Sequence, residues 1–296
     1  MSGNNSSVIE FGFDDGKVIK TQGVDAFKQG KPGEKSKISI IAFKRYHDGV
    51  LAQKARDKQG PLTDEEKADF ISRVDTKLAA NLKKEVKDLT EVDRLDIKSP
   101  RFSFAFTHFN DGVGTIRCLS RYEGTTLVRP ELCCDKFGDA DQTVATVIMQ
   151  YPVDDNFQVD AEDLVRRKHT KFFIWKLSAK KFKKVEGTYI DQRNDGRPVI
   201  DLNVTLDGDP KFQKQLIESA STAFWARDGF DPSTRAWILD QGLRAYKYVQ
   251  NSLGFDLSKE KLIEKLGGQA QSAAALSSGE ASAEQPKLIG SYDDLL

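Results

Sequence analysis

Cysteine and histidine are scarce, three of each in 296 residues. Three cysteines cannot all pair, and Cys133 and Cys134 are adjacent, so a disulfide scaffold is excluded for a chain of this size. His47, His108 and His169 show no sequence-local partner pattern, which leaves histidine-based catalysis few placements. No apolar run approaches the roughly 18–20 residues of a spanning helix, and the start MSGNNSSVIEF has neither a basic nor an apolar signal region. Membrane insertion and secretion are therefore not expected, and the expected location is the cytoplasm, that of the host cell if the chain is viral. The phosphate loop GxxxxGK, the dinucleotide loop GxGxxG, HExxH and GxSxG are all missing. An excess of charge of one sign is missing too, with 45 Lys and Arg against 45 Asp and Glu. Taken as a sum, that balance argues against a nucleic-acid partner, but a sum says nothing about distribution.

Zinc is weighed on the same scarcity. His108, Cys118, Cys133 and Cys134 are four soft ligands within 27 residues. Consecutive side chains diverge, so adjacent cysteines rarely share one tetrahedral ion, and CxxC spacing is absent. Buried thiols, with no metal and no cofactor, are the expectation. The acid pairs Asp139 with Asp141 and Asp154 with Asp155 lie in turn-like stretches, where solvated acids are common; a metal-dependent nuclease is the enzymatic alternative they allow.

Apolar residues make up 39% and charged residues 30%, which describes a polar chain with much solvated surface. Its length suits two domains, or one elaborated domain with tails. Residues 1–22 read as a polar N-terminal arm. Ile38–Tyr46 reads as a strand between turn residues. Thr63 with Glu66 forms a capping box ahead of Phe70, Ile71, Val74, Leu78, Leu82, Val86 and Leu89, one apolar stripe that predicts a long helical insertion over 62–90. Phe102, Phe104 and Phe106 alternate with Ser103, Ala105 and Thr107, then NDGVG turns into TIRCLSRY, which predicts a hairpin. Thr143–Val153, Lys171–Leu177 and Val199–Leu206 read as further strands, and KFQKQLIESASTAFW and DPSTRAWILDQGLRAYKYVQNSL as C-terminal helices over 210–254. These elements predict a mixed α+β core over 23–255, a small partly open β-barrel with the helical insertion and C-terminal helices. Residues 256–296 read as a flexible linker with an acidic tip. From Gly267 onward the chain holds four acids and one lysine, a net −3, so residues 1–266 carry +3.

Charge is segregated most strongly in Arg166–Lys184, RRKHTKFFIWKLSAKKFKK, where nine of nineteen residues are basic and none is acidic. Arg166, Arg167, Lys168, Lys171, Lys176, Lys180, Lys181, Lys183 and Lys184 can neutralise phosphates, while Phe172, Phe173, Trp175 and Phe182 offer faces on which unpaired bases stack. Alternation places Phe173 and Trp175 on one strand face with Lys171, and Phe172 and Ile174 on the other with Lys176. The Phe173/Trp175 face is expected to be the solvent-facing one. Arg45, Tyr46, Arg117 and Arg121 supply supporting contacts at strand ends.

A β-rich core with a basic-aromatic strand, helical additions and a Gly/Ala/Ser linker ending in Ser291-Tyr292-Asp293-Asp294-Leu295-Leu296 resembles the single-stranded DNA-binding proteins of bacteriophages, the helix-destabilising replication proteins, and more distantly bacterial ones. The resemblance implies an oligonucleotide-binding (OB) fold that holds the strand. It also implies a tip, here Tyr292, Asp293, Asp294, Leu295 and Leu296, that recruits replication and recombination proteins and competes with DNA for the groove. The expectation is sequence-independent binding of single-stranded DNA during replication, recombination and repair, without enzymatic activity and compatible with self-association. An RNA-binding or strand-annealing recombination protein is the alternative that shares the same strand.

Overall fold

The computed structural model describes residues 8–11, 19–22, 24–29, 31–110, 114–118, 121–123, 126–128, 134, 139–194, 199–208 and 214–253. Along the chain run β1 (Val8–Phe11), β2 (Ile19–Gln22), β3 (Lys35–Ile40), β4 (Phe43–Arg45), α1 (Tyr46–Lys58), α2 (Asp64–Leu82), β5 (Leu95–Pro100), β6 (Ser103–Asn110), β7 (Gly114–Arg117), β8 (Arg121–Glu123) and β9 (Thr126–Val128). They are followed by β10 (Asp141–Gln150), α3 (Ala161–Arg166), β11 (Lys171–Ser178), α4 (Ala179–Asn194), β12 (Ile200–Asp207), β13 (Lys214–Thr222), α5 (Pro232–Tyr246) and α6 (Val249–Ser252).

The main sheet is antiparallel, in the order β13-β12-β3-β10-β6-β7, with β11 on the other edge of β10. β10 is its hub because its sequence, DQTVATVIMQ, is apolar on both faces, as a strand covered on both sides must be. Val144 and Ile148 join one core with Ile38, Ile40, Trp175, Leu177, Ile200, Leu202 and Val204, closed over by Val185 and Tyr189 of α4. Ala145, Val147 and Met149 join a second core under Ile238, Leu239 and Ala245 of α5, together with Trp225. One edge of β10 is shared, β6 pairing with Asp141–Ala145 and β3 with Ile148–Gln150. Among the described residues no pairing joins β11 to β13, so the sheet does not close into a barrel. The segment Asp25–Phe27 lies against that edge of β11 instead. The Phe27 N–H donates to the Ile174 carbonyl and the Ile174 N–H to that of Asp25, each at 2.9 Å.

Two elements differ from expectation. KFQKQLIESASTAFW is not helical: its centre is edge strand β13, paired with β12 from Asp207↔Lys214 to Ile200↔Thr222. Backbone pairing with β12 and burial of Ile217 decide its conformation against a local pattern that reads either way. The HDG following Tyr46 does not turn but lies in the first turn of α1, a helix without an apolar stripe that the sequence pattern did not announce. The capping box of α2 forms as predicted, the Glu66 N–H donating to Thr63 Oγ1 at 3.2 Å and the Thr63 N–H to Glu66 Oε2 at 2.7 Å. The helix ends at Leu82 rather than running on to Leu89, because Lys83 takes a left-handed conformation, φ 54°, and donates back to Ala80.

The α1–α2 insertion is tied down by a buried cluster. His47 lies 2.8 Å from Asp75, and Arg94 donates from Nε and Nη2 to the same carboxylate at 3.2 and 3.0 Å. The Arg94 guanidinium, and then His47, hold Asp75 below the usual carboxylate range against its burial. Asp75→Ala strands the Arg94 charge, but Arg94 also reaches Glu91 and is partly exposed, so the expected loss of stability is about 2 kcal/mol, below the 3–5 of a fully buried pair. Urea denaturation of the two proteins checks it.

Candidate nucleic-acid interface

The acid-free segment 166–184 crosses three elements: the end of α3, all of β11 and the first turns of α4. Asp160 caps α3 by accepting the Asp163 N–H at 2.9 Å, and Arg167 ends it in a left-handed conformation, φ 59°. The cations at this end are engaged. Arg166 pairs with Glu162, and the Arg167 guanidinium lies 4.9 Å from the Trp237 ring centre and donates to Ser233 Oγ at 3.3 Å. His169 Nδ1 lies 2.5 Å from Asp163, which His169 holds below the usual carboxylate range. Lys168 is exposed.

β11 corrects the stacking expectation. The Phe173/Trp175 face is the interior one: Trp175 is 1% exposed in the core, edge-on to Phe27 at 6.3 Å, and half-buried Phe173 packs on the same ring at 5.8 Å. Strand alternation sends 173, 175 and 177 one way, and only the large apolar rings of that set can fill the space beneath α4. The opposite face is covered as well. Phe172 packs edge-on to Trp237 of α5 at 5.3 Å, and Ile174 is 2% exposed. Trp175 therefore offers no surface to a base.

The lysines remain outside. Lys171 and Lys176 of β11 and Lys180, Lys183 and Lys184 of α4 are exposed; the last three lie at i, i+3 and i+4 on one helix face, while Phe182, Val185 and Tyr189 face the core. Lys181 is half-buried and donates to Gln215 Oε1 at 3.4 Å. Among the described residues Lys171, Lys176, Lys180, Lys183 and Lys184 take part in no ion pair. Elsewhere cations are commonly matched: Lys58 with Glu66, Arg73 with Asp69, Lys84 with Asp93, Arg45 with Glu91, Arg244 with Asp240. Desolvation and then the charge of Lys28 pull Lys176 below the usual lysine range, so two like charges are held close together. Lys28 has no signal in the sequence. It arrives because Asp25–Phe27 runs along β11.

The supporting residues are not gathered into this patch. Arg45, together with Arg101, Arg244, Lys247 and Tyr246, lines a separate cleft of about 610 Å³. There the Arg101 guanidinium lies 4.5 Å from the Tyr246 ring centre, and the hydroxyls of Tyr246 and Ser103 are 2.5 Å apart. No residue of 166–184 lines that cleft. Tyr46, 41% exposed, borders another hollow with Phe70, Arg73 and Lys77. Arg117 is half-buried on β7. The side chain of Arg121, the whole of Cys133 and the tip residues Tyr292–Leu296 lie outside the described residues. Of the acid pairs, Asp154 caps its own turn by accepting the N–H groups of Asn156 and Gln158 at 3.0 and 2.8 Å.

One soft-ligand group converges. The ligating atoms of His108, Cys118 and Cys134 all lie within 4.8 Å of one another. Cys118 Sγ is 3.6 Å from Cys134 Sγ, which is 3.9 Å from His108 Nε2. Compared with known proteins, the chain matches no family model, no curated protein and no solved structure.

Proposed function

We propose that the protein binds single-stranded DNA without reading its sequence, through the uncompensated lysines along β11 and α4. The observation that carries this reading is the contrast in charge pairing. Lys171, Lys176, Lys180, Lys183 and Lys184 stand without acids among the described residues, and Lys176 is held near Lys28 at an electrostatic cost that a chain of phosphates would relieve. The sheet supports it in outline. The order β13-β12-β3-β10-β11 is compatible with an open OB-like arrangement counted from β3, in which β10 and β11 would be the second and third strands, the face on which OB folds hold oligonucleotides. Here α5 covers the outer face of those strands, so the phosphates run along the rim marked by Lys171, Lys176 and α4. Bases stack, if at all, on rim aromatics rather than on Trp175. In this reading the chain protects and organises the strand in replication, recombination and repair, and the tip Tyr292–Leu296 recruits partner proteins.

The test replaces Lys180, Lys181, Lys183 and Lys184 with Glu and follows binding of a labelled oligo-dT by anisotropy across salt concentrations. Lys181 is held by Gln215, so three phosphate contacts are lost, which makes the slope of log K against log salt shallower by about 2, at roughly 0.7 per contact for single strands, and weakens binding about 100-fold or more at low salt. Unchanged affinity and slope would mean that the patch is a solvated face and the reading is wrong. Duplex DNA and an RNA of equal length, run alongside, separate DNA-strand binding from duplex binding and from the RNA alternative.

A further inference from the structure

We propose that the hollow between α1 and α2 is a docking site for an acidic amphipathic helix of a partner protein. The site is built from the helix pair upward. Lys54 Nζ, late in α1, lies 5.8 Å from the ring centre of Phe70 early in α2, while His47 at the start of α1 meets Asp75 further along, so the two helices run antiparallel. Tyr46, Val50 and Lys54, spaced four apart, form one wall of the hollow. Phe70, Val74 and Leu78, at the same spacing, form the other, and the space between them measures about 470 Å³. The chain's own packing does not finish this floor. Phe70, Val74 and Leu78 are half-buried, Tyr46 is 41% exposed, and Leu82, one turn further on, is 43% exposed. Scattered apolar side chains on a surface need no explanation, but these follow one stripe.

Shape and charge together choose the occupant. Two helices side by side leave a groove whose complement is a third helix, laid in with apolar residues at i, i+3, i+4 and i+7. From Phe70 to Leu82 the stripe runs about 18 Å at 1.5 Å per residue, which matches a helix of about twelve residues. The aliphatic part of the floor, Val50, Val74 and Leu78, suits such side chains better than flat bases. The groove is also preformed. His47 and Arg94 both hold Asp75, which fixes α2 against α1 and against the returning chain, so binding costs little further ordering. Lys54, Arg73 and Lys77 line the hollow, and among the described residues no carboxylate does. Lys77 takes part in no ion pair among them. Lys54 and Arg73 pair along their own helices with Asp57 and Asp69, at 3.7 and 2.6 Å, and both pairs are exposed and weak enough to exchange for a partner's carboxylates. A basic helix would meet three like charges. An acidic flank matches all three.

The probe is a labelled synthetic helix long enough to cover the stripe, with Leu and Phe on one face and Glu on its flanks, titrated with the full chain by anisotropy. The same peptide with Lys in place of Glu, and a scrambled one, are the controls. The acidic helix should bind about 10-fold or more tightly than either, and added salt should narrow its lead over the basic one. Lys77→Glu should weaken it about 10-fold or more while Lys77→Arg does not, and Phe70→Ala, which removes an aromatic anchor, should weaken it about 30-fold. Lys77 is exposed, so reversing its charge leaves the fold intact, which circular dichroism checks. No binding by the wild-type chain, equal binding of the acidic and basic helices, or affinity unmoved by Lys77→Glu overturns the proposal. So does tighter binding of a Ser291–Leu296 peptide, which would make the chain's own tip the occupant, or a dimer that Lys77→Glu dissociates, which would make it a second copy. A parallel loss of oligo-dT affinity in Lys77→Glu would assign the hollow to DNA and overturn it too. None of the lining residues belongs to 166–184, and the peptide is titrated without DNA, so the proposal and the DNA reading fail separately.

Discussion

The stability of the fold is expected to fall as the pH rises from about 4 to about 7, and Asp201 is the cause. This carboxyl is 1% exposed on β12, and burial raises its pKa from 3.8 to about 7 although Tyr151, the Phe224 N–H and Ser39 all favour the charged form. The Tyr151 hydroxyl donates to it at 2.8 Å and the Phe224 N–H at 3.0 Å, while the Trp225 indole nearby donates to Ser39 at 2.9 Å. Because the folded protein holds this proton more tightly than the unfolded chain, the stabilisation is complete below the unfolded pKa. It is lost as the pH rises through the folded one. Three pKa units correspond to about 4 kcal/mol. Carboxylates held low by partners, Asp75 by Arg94 and Asp163 by His169, have the opposite sign, and their contribution is lost only in acid. Asp201→Asn isolates the group. The amide keeps an acceptor, and the Tyr151 hydroxyl can turn to accept, so the variant should fold and lose the decline between about pH 4 and 7. Urea denaturation of both proteins at a series of pH values measures it; parallel pH profiles would show that Asp201 is ionised throughout.

Gly242→Ala is expected to destabilise the protein by about 3 kcal/mol or more, at or above the usual range for overpacking. On local grounds the change should help, because alanine is favoured over glycine inside a helix by about 1 kcal/mol. Packing reverses the sign. α5 crosses the sheet where the chain leaves β3, and a Cβ on Gly242 would sit well inside van der Waals contact with the Ile41 carbonyl oxygen and 3.1 Å from its carbon. Those are backbone atoms, and the Ile41 N–H is itself bonded to the Val147 carbonyl at 3.1 Å, so the strand cannot give way. The helix must move instead, and with it Ile238, Leu239 and Ala245, which are at most 5% exposed. Thermal unfolding of the variant checks the direction; a higher Tm would show that α5 is not seated as described.

Much of the architecture was legible because it is written in periodicity. The run Thr143–Val153 is mostly apolar on both faces and rich in β-branched residues, and a strand follows from that. Thr63 and Glu66 announced the start of α2. The failures share one cause, weak local patterns overruled by pairing. β13 has one buried residue, Ile217, and α1 has one, His47, so neither shows a stripe that would mark its type. The candidate interface divides in the same way. The cations of 166–184 were visible as composition, and five of them remain outside and without acid partners among the described residues. Which face of β11 met water was undecidable from alternation, because Phe172 and Phe173 are equally apolar and only the placement of α4 and α5 settles it.

The sequence by itself determined a mixed α+β chain built around an apolar strand, with its positive charge concentrated in one acid-free segment, since composition and period are local properties. The tertiary structure alone decided that Trp175 is core, that Lys28 stands beside Lys176, and that His108, Cys118 and Cys134 meet. Each of these depends on which strands and helices lie against one another. That choice follows from burying whole faces, a property of the assembled chain that no short window of residues contains.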